Sequence, residues 1–209
     1  MTISQRVCVV LCSSLFAAVS AYAVELDLQM SFSGSEQAVF EGLAEYQYTD
    51  GSTDSLYAGS GFGILLGKTL KEFGPVSIIA KGGFQYGAIS ANSGGISYHD
   101  SFSYFPVLLT GSYAINEKIS LGGGLSYLIA PKYKFSIDDY KFEAKGLSDF
   151  GYHVELITVL SDVKFYVRYT DNTVAYQSFS DTNNNSGNIE DTIKDEDVSA
   201  WNLGLSLSF

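Results

Sequence analysis

The ending of the chain, Trp201-Asn202-Leu203-Gly204-Leu205-Ser206-Leu207-Ser208-Phe209, limits the fold more than any other stretch. Trp201, Leu203, Leu205, Leu207 and Phe209 alternate with Asn202, Gly204, Ser206 and Ser208. Successive side chains of a β-strand leave opposite faces, so this segment reads as a strand with one apolar face and one small or polar face. A strand of a water-soluble sandwich would turn Lys, Glu and Thr to water. Gly, Ser and Asn instead suit the narrow interior of a closed barrel, which leaves the apolar face for lipid.

The same two-faced rhythm recurs upstream in stretches of about ten residues. It places strands at 39–49, 57–69, 75–90, 102–114, 118–135, 148–160, 163–176 and the final segment. The connections sort by length in strict alternation. Those at 70–74, 115–117 and 161–162 are short, and those at 50–56, 91–101, 136–147 and 177–197 are long. Short turns at one end and long loops at the other are the pattern of an up-and-down barrel in an outer membrane, the long loops facing outward. Within the third long connection, Tyr133 to Ile137 and Tyr140 to Ala144 flank Asp138-Asp139, which predicts a hairpin carried beyond the bilayer. The last, Asn-rich and acidic, is expected to be solvated and mobile.

No apolar run after the N-terminus reaches the ~20 residues of a membrane helix, so a barrel is the only spanning structure left. The N-terminus itself reads as a secretory signal: Arg6, the apolar stretch Val7 to Val19, and Ala21-Tyr22-Ala23 as the cleavage site, giving a signal at residues 1–23. Cys8 and Cys12 both lie within it, so the mature chain would hold no disulfide. The formal charge of -11 becomes -12 once Arg6 leaves, which argues against nucleic acid as a partner. Residues 24–38 have no place in this count. Leu26, Leu28, Met30 and Phe32 alternate with Glu25, Asp27, Gln29 and Ser31, making a ninth candidate strand where an even number is the norm. They are a lead-in, an inserted segment, or a sign that the first strand is wrongly split. The barrel is assigned to 39–209.

Alternation then distributes the side chains. Phe62, Ile64, Phe84, Tyr86, Phe105, Val107, Leu125, Tyr127, Phe165, Val167 and Tyr169 fall on the lipid side. Tyr46, Tyr48, Tyr57, Tyr113, Tyr133, Tyr152 and Trp201 fall near strand ends, where aromatic girdles sit. Glu41, Glu45, Gln47, Lys81, Gln85, His153, Glu155, Lys164 and Arg168 turn inward. Buried charge is costly unless paired, so Glu45 and Glu155 are expected to meet Lys81 and Arg168 in an interior salt-bridge network. Separate hydration of each in a wet lumen is the alternative.

Chemistry is sparse. His99 beside Asp100 and Ser101, and His153 near Glu155, are the only acid/base pairings, and adjacency in sequence does not bring a nucleophile, base and orienting group together. No catalytic residue, cofactor or metal ligand is assigned. Asp195-Glu196-Asp197 reads as a solvated charge run.

On the signal, the strand rhythm, the loop asymmetry and the ending Trp201 to Phe209, the chain resembles the small eight-stranded outer-membrane barrels of Gram-negative bacteria, the OmpA/OmpX-like and opacity-protein group. The resemblance implies an all-β, closed, antiparallel transmembrane barrel of eight strands, located in the cell outer membrane. It also implies that Leu203, Leu205, Leu207 and Phe209 form the signal read by the barrel-assembly machinery. The partners expected are that machinery, outer-membrane lipid and lipopolysaccharide, and an extracellular partner for the protruding hairpin. The function expected is a structural or surface-interaction role. The alternatives are a narrow ion or small-solute channel, or a lipid A-modifying enzyme.

Overall fold

The alternating segments close into a wall of eight antiparallel strands. The computed structural model describes residues 24–34, 46–47, 53–54, 56–93, 96–161, 163–183, 185–188 and 195–209. In chain order the strands are β1 (Val24–Ser33), β2 (Tyr46–Gln47), β3 (Thr53–Asp54), β4 (Gly61–Phe73), β5 (Val76–Ser93), β6 (Ile96–Ala114) and β7 (Ile119–Ile137). They continue as β8 (Tyr140–Ser148), β9 (Gly151–Leu160), β10 (Val163–Asp171), β11 (Thr173–Asp181), β12 (Ser186–Asn188), β13 (Glu196–Asp197) and β14 (Ala200–Ser208). The wall runs β1-β4-β5-β6-β7-β9-β10-β14, and β14 pairs with β1 to complete the ring. At the seam Val24 and Phe209 exchange both backbone hydrogen bonds, at 3.2 and 2.9 Å.

The first wall strand is β1, not residues 39–49. Both edges of β1 are paired, Leu28 lying opposite Leu205 of β14 and Ile64 of β4. Its apolar residues Leu28, Met30 and Phe32 are exposed on the outside, while Glu25, Asp27, Gln29 and Ser31 are buried. That is the only arrangement in which this alternation satisfies both faces. Of the expected 39–49 strand, Tyr46–Gln47 pairs with Thr53–Asp54 in a small separate sheet. The remainder, Glu41 and Glu45 included, lies outside the described residues, as does the signal at 1–23.

The expected outward apolar face is present: Phe62, Ile64, Phe84, Tyr86, Phe105, Leu125, Phe165 and Val167 are all exposed, against the habit of a water-soluble fold. Short turns gather at the lower rim, at Gly74-Pro75 and between β6 and β7, beside the Val24–Phe209 seam.

At the other rim the strands run further than their sequence suggests. β6 and β7 are 19 residues each, although 9–11 suffice to cross a bilayer. The connection expected at 91–101 is largely strand, since β5 reaches Ser93 and β6 begins at Ile96. The strand expected at 163–176 breaks at Asn172, where β11 leaves the wall to pair with β8. Consequently 177–181, expected as mobile loop, is held in a sheet against Phe142 to Lys145. Above the rim, β5, β6, β7, β8, β11 and β12 form one continuous sheet.

One irregularity decides what that sheet shows. Phe105 pairs with Ile129 and Ser103 with Lys132, so Ala130 and Pro131 together oppose the single residue Tyr104. This is a β-bulge, with Ala130 at φ 51° and the proline where its missing N–H costs no ladder bond. The extra residue reverses the alternation above it. Tyr133, expected in an outer aromatic girdle, is therefore buried on the inner face, and Lys132 and Lys134 turn outward.

Candidate functional site

The interior is built in two layers, each fixed by strand parity. In the lower layer β1, β5, β9 and β10 send charged side chains to the centre. Arg168 reaches Glu155 through Nε and Nη2, both 2.8 Å from Oε2. Lys81 donates to Asp27 at 2.8 Å and lies 3.8 Å from Glu25, which also holds Lys164. Asp27 lies 3.5 Å from Arg168 and so links the two pairs.

Three cations thus face three carboxylates, and neutrality is what a buried ionic cluster requires. Of the four residues expected to form this network, the structure brings Arg168 and Glu155 together and places Lys81 within the same cluster. The acidic partners of Lys81 are Asp27 and Glu25, because β1 holds the wall position allotted to 39–49. The signal was present in the alternation Glu25, Asp27, Gln29, Ser31.

Polar groups around the cluster complete it. Arg168 donates to Gln29 at 3.3 Å, Gln29 to Gln85 at 3.0 Å, Gln85 to Ser31 at 2.9 Å, and Ser31 to Asn202 at 2.5 Å. The Tyr166 ring lies 4.5 Å from the Arg168 guanidinium and 5.4 Å from Lys81 Nζ, a cation–π contact with each. That ring stands over Gly204, whose absent Cβ would come within 2.3 Å of Tyr166 Cζ. Glycine on the inner face of β14 thus makes room for the aromatic partner of the cations.

The upper layer is apolar. Phe102 and Tyr104 of β6, Leu128 and Tyr133 of β7, and Val174 and Tyr176 of β11 pack with Leu56, Ala58 and Val198. Polar handles are paired: Tyr133 donates to Asp100, Tyr176 to Glu196 at 2.5 Å, and Ser126 to Asn172 at 2.9 Å. Between the layers, a space of about 20 Å³ bordered by Gln29, Leu65, Tyr104 and Arg168 is scarcely larger than one water.

The histidines separate. His153 is buried, its Nε2 2.8 Å from Thr110 Oγ1. His99 is exposed, its Nδ1 2.7 Å from Ser90 Oγ, while the neighbouring Asp100 points to the opposite face of β6 and is buried with Tyr133. Alternation thus keeps the adjacent imidazole and carboxylate apart. Glu196 and Asp197 of the acidic run serve Tyr176 and Ser199.

On the outer face of the upper sheet Glu143 gathers three lysines, with Lys145 at 3.2 Å and Lys132 and Lys134 each at 3.6 Å. Partial burial pushes the Glu143 carboxyl up, but the Lys145 hydrogen bond and the charges of Lys132, Lys145 and Lys134 outweigh it. The carboxyl titrates below its ordinary value.

At the lower end, β14 places Leu203, Leu205, Leu207 and Phe209 on the outward parity, with Leu203 and Phe209 exposed.

No protein-family model and no curated protein matches the sequence. Solved structures do. A major outer membrane protein from Thermus thermophilus aligns over 91% of this chain and 100% of its own, at 12% identity and TM-score 0.51. Ail, the attachment invasion locus protein of Yersinia pestis, solved with the heparin analogue sucrose octasulfate, aligns over 90% and 97% at 15% identity and TM-score 0.47. The outer membrane protease OmpT of Escherichia coli aligns over 92% and 99% at 14% identity and TM-score 0.44. At 12% identity, what the chain shares with the Thermus thermophilus protein is the fold.

Proposed function

We propose that the protein is an outer-membrane barrel that acts through its external surface, in a structural or interaction role, and not as a conduit. Its residence in the membrane is supported by the exposed apolar band and by ring closure, which leaves no open sheet edge to lipid. The observation that carries the surface role is the upper sheet. It continues β5, β6 and β7 past the band, adds β8 and β11, and has a core of its own that caps the ionic layer. A channel needs a water-filled path, and this lumen is filled by paired side chains.

Two measurements test this reading. The folded protein in detergent should run differently from the boiled protein on electrophoresis. In planar bilayers it should give no stable conductance. A single-channel step in the wild type that changes in Arg168→Ala would replace the surface role with a conducting one.

A further inference from the structure

The outer face of the upper sheet has a charge pattern at odds with the rest of the chain. Strand register lays it out in rows. Tyr86 pairs with Ser103, Ser103 with Lys132, Lys132 with Lys145, and Lys145 with Ser178. The next row runs Ser101, Lys134, Glu143, Ser180, and the one above it His99, Ser136, Lys141. Four lysines therefore share one face with a line of hydroxyls in a protein whose net charge is -11. Of the described lysines and arginines, Lys81, Lys164 and Arg168 belong to the interior cluster and Lys68, Lys71 and Lys118 to the lower end. The upper sheet holds the other four.

The arrangement is electrostatically costly by itself. Lys132 and Lys145 are direct cross-strand partners, a placement that destabilises a sheet. Glu143 is shared among three of the four, so positive charge remains in excess. An anion on this face would relieve that excess.

The surroundings say which anion. The face is concave, enclosing about 570 Å³, and its lining joins Phe84 and Tyr86 of the apolar band to Lys134, Lys141 and Ser136, with the acids Glu143 and Asp181 among them, while Lys132 and Lys145 lie on the adjoining row. Phe84 also packs against lipid-facing Phe105, ring centroids 5.2 Å apart. Parity makes the lysines continue the lipid-facing side of the wall, so they look sideways into the headgroup layer and not upward into the medium. The hairpin tip beyond them carries the acids Asp138 and Asp139, which would repel a polyanion approaching from outside. An aromatic floor with ammonium groups over it matches a phosphorylated amphiphile.

We infer that this face is a binding site for the phosphorylated headgroups of lipids in the leaflet around the barrel, with acyl chains against Phe84, Tyr86 and Phe105 and phosphates among Lys132, Lys134, Lys141 and Lys145. The Ala130-Pro131 bulge contributes to the site, because it turns Lys132 and Lys134 outward beside Lys141 and Lys145 of β8. The inference rests on the membrane-spanning reading above.

The test uses the full mature chain, folded in zwitterionic detergent, with heat-modified electrophoresis run first. It is then mixed with bisphosphorylated lipid A or the same lipid stripped of phosphate, and retained lipid is counted by native mass spectrometry. The wild type should retain the phosphorylated lipid at least about tenfold better, each surface lysine being worth roughly a fivefold effect. Changing the four lysines to Gln should abolish the preference, changing them to Arg should keep it, and Glu143→Gln should strengthen it. Equal retention of both lipids by the wild type overturns the site while leaving the barrel intact. So does binding of a soluble sulfated polysaccharide without any preference between the lipids. Loss of heat-modifiability in the wild type overturns the barrel and the site together.

Discussion

Replacing Arg168 with Met should cost far more than its single position suggests, and a second substitution should return most of the loss. Arg168 is only 1% exposed, and its guanidinium supplies both 2.8 Å contacts to Glu155 Oε2. Glu155 Oε1 has no hydrogen-bond partner among the described residues, so Arg168→Met leaves a buried carboxylate stripped of both guanidinium contacts. Asp27 keeps Lys81 at 2.8 Å and loses only a 3.5 Å contact. The penalty therefore concentrates on one carboxylate. Removing one member of a buried ion pair costs about 3–5 kcal/mol, and a single orphaned group places this case at roughly 3–4 kcal/mol, a 10²- to 10³-fold change in the folding equilibrium. The double variant Arg168→Met/Glu155→Gln removes the charge as well and should lie within about 1.5 kcal/mol of wild type. Urea unfolding in phospholipid vesicles reads both, using Trp201, the only tryptophan, which sits exposed on the lipid side of β14. A loss in Arg168→Met below about 0.5 kcal/mol, or a double variant as unstable as the sum of the singles, would refute the reasoning, since coupled neighbours are not additive.

Gly204→Ala should destabilise the barrel by about 1–3 kcal/mol, because the new methyl group meets the Tyr166 ring. Tyr166→Leu in the same chain should return only part of that loss, measured by the same urea titration, because the new methyl group also lies 2.7 Å from the Leu28 carbonyl oxygen. For pH, the Glu143 carboxyl is depressed in the folded state, so its contribution is complete above the ordinary carboxylate value of 4.5 and is lost as pH falls through the lower folded value. Backbone hydrogen exchange in β8 should therefore speed up in acid relative to neutral pH, after correction for intrinsic rates. In Glu143→Gln that difference should disappear, and its persistence would count against the lysine cluster as the cause.

Much of the wall was legible because lipid and lumen impose opposite demands on adjacent residues. Phe62, Ile64 and Phe84 outward, and Lys81, Gln85 and Glu155 inward, follow from period two alone. The place of β1 was hidden by a competing segment. Tyr46 and Tyr48 alternate as a wall strand would, and only the pairing of β1 with both β4 and β14 shows which stretch closes the ring. That pairing is non-local, so Asp27 as the partner of Lys81 could not be read from spacing. Tyr133 was misplaced for a different reason. A bulge shifts parity by one residue, and the proline at 131 marked an irregularity without telling which way the strand would resume. The break at Asn172 is of the same kind, since β11 departs to meet β8, a partner more than 25 residues earlier.

The Val24–Phe209 seam also bears on the order in which the chain can become a barrel. The edge of β1 that ends up on β14 has no mate until β14 has been made, and β14 follows every other wall strand in the chain. Until the ring closes the chain therefore carries a long row of unsatisfied amides and carbonyls beside an apolar stripe, the combination that templates aggregation.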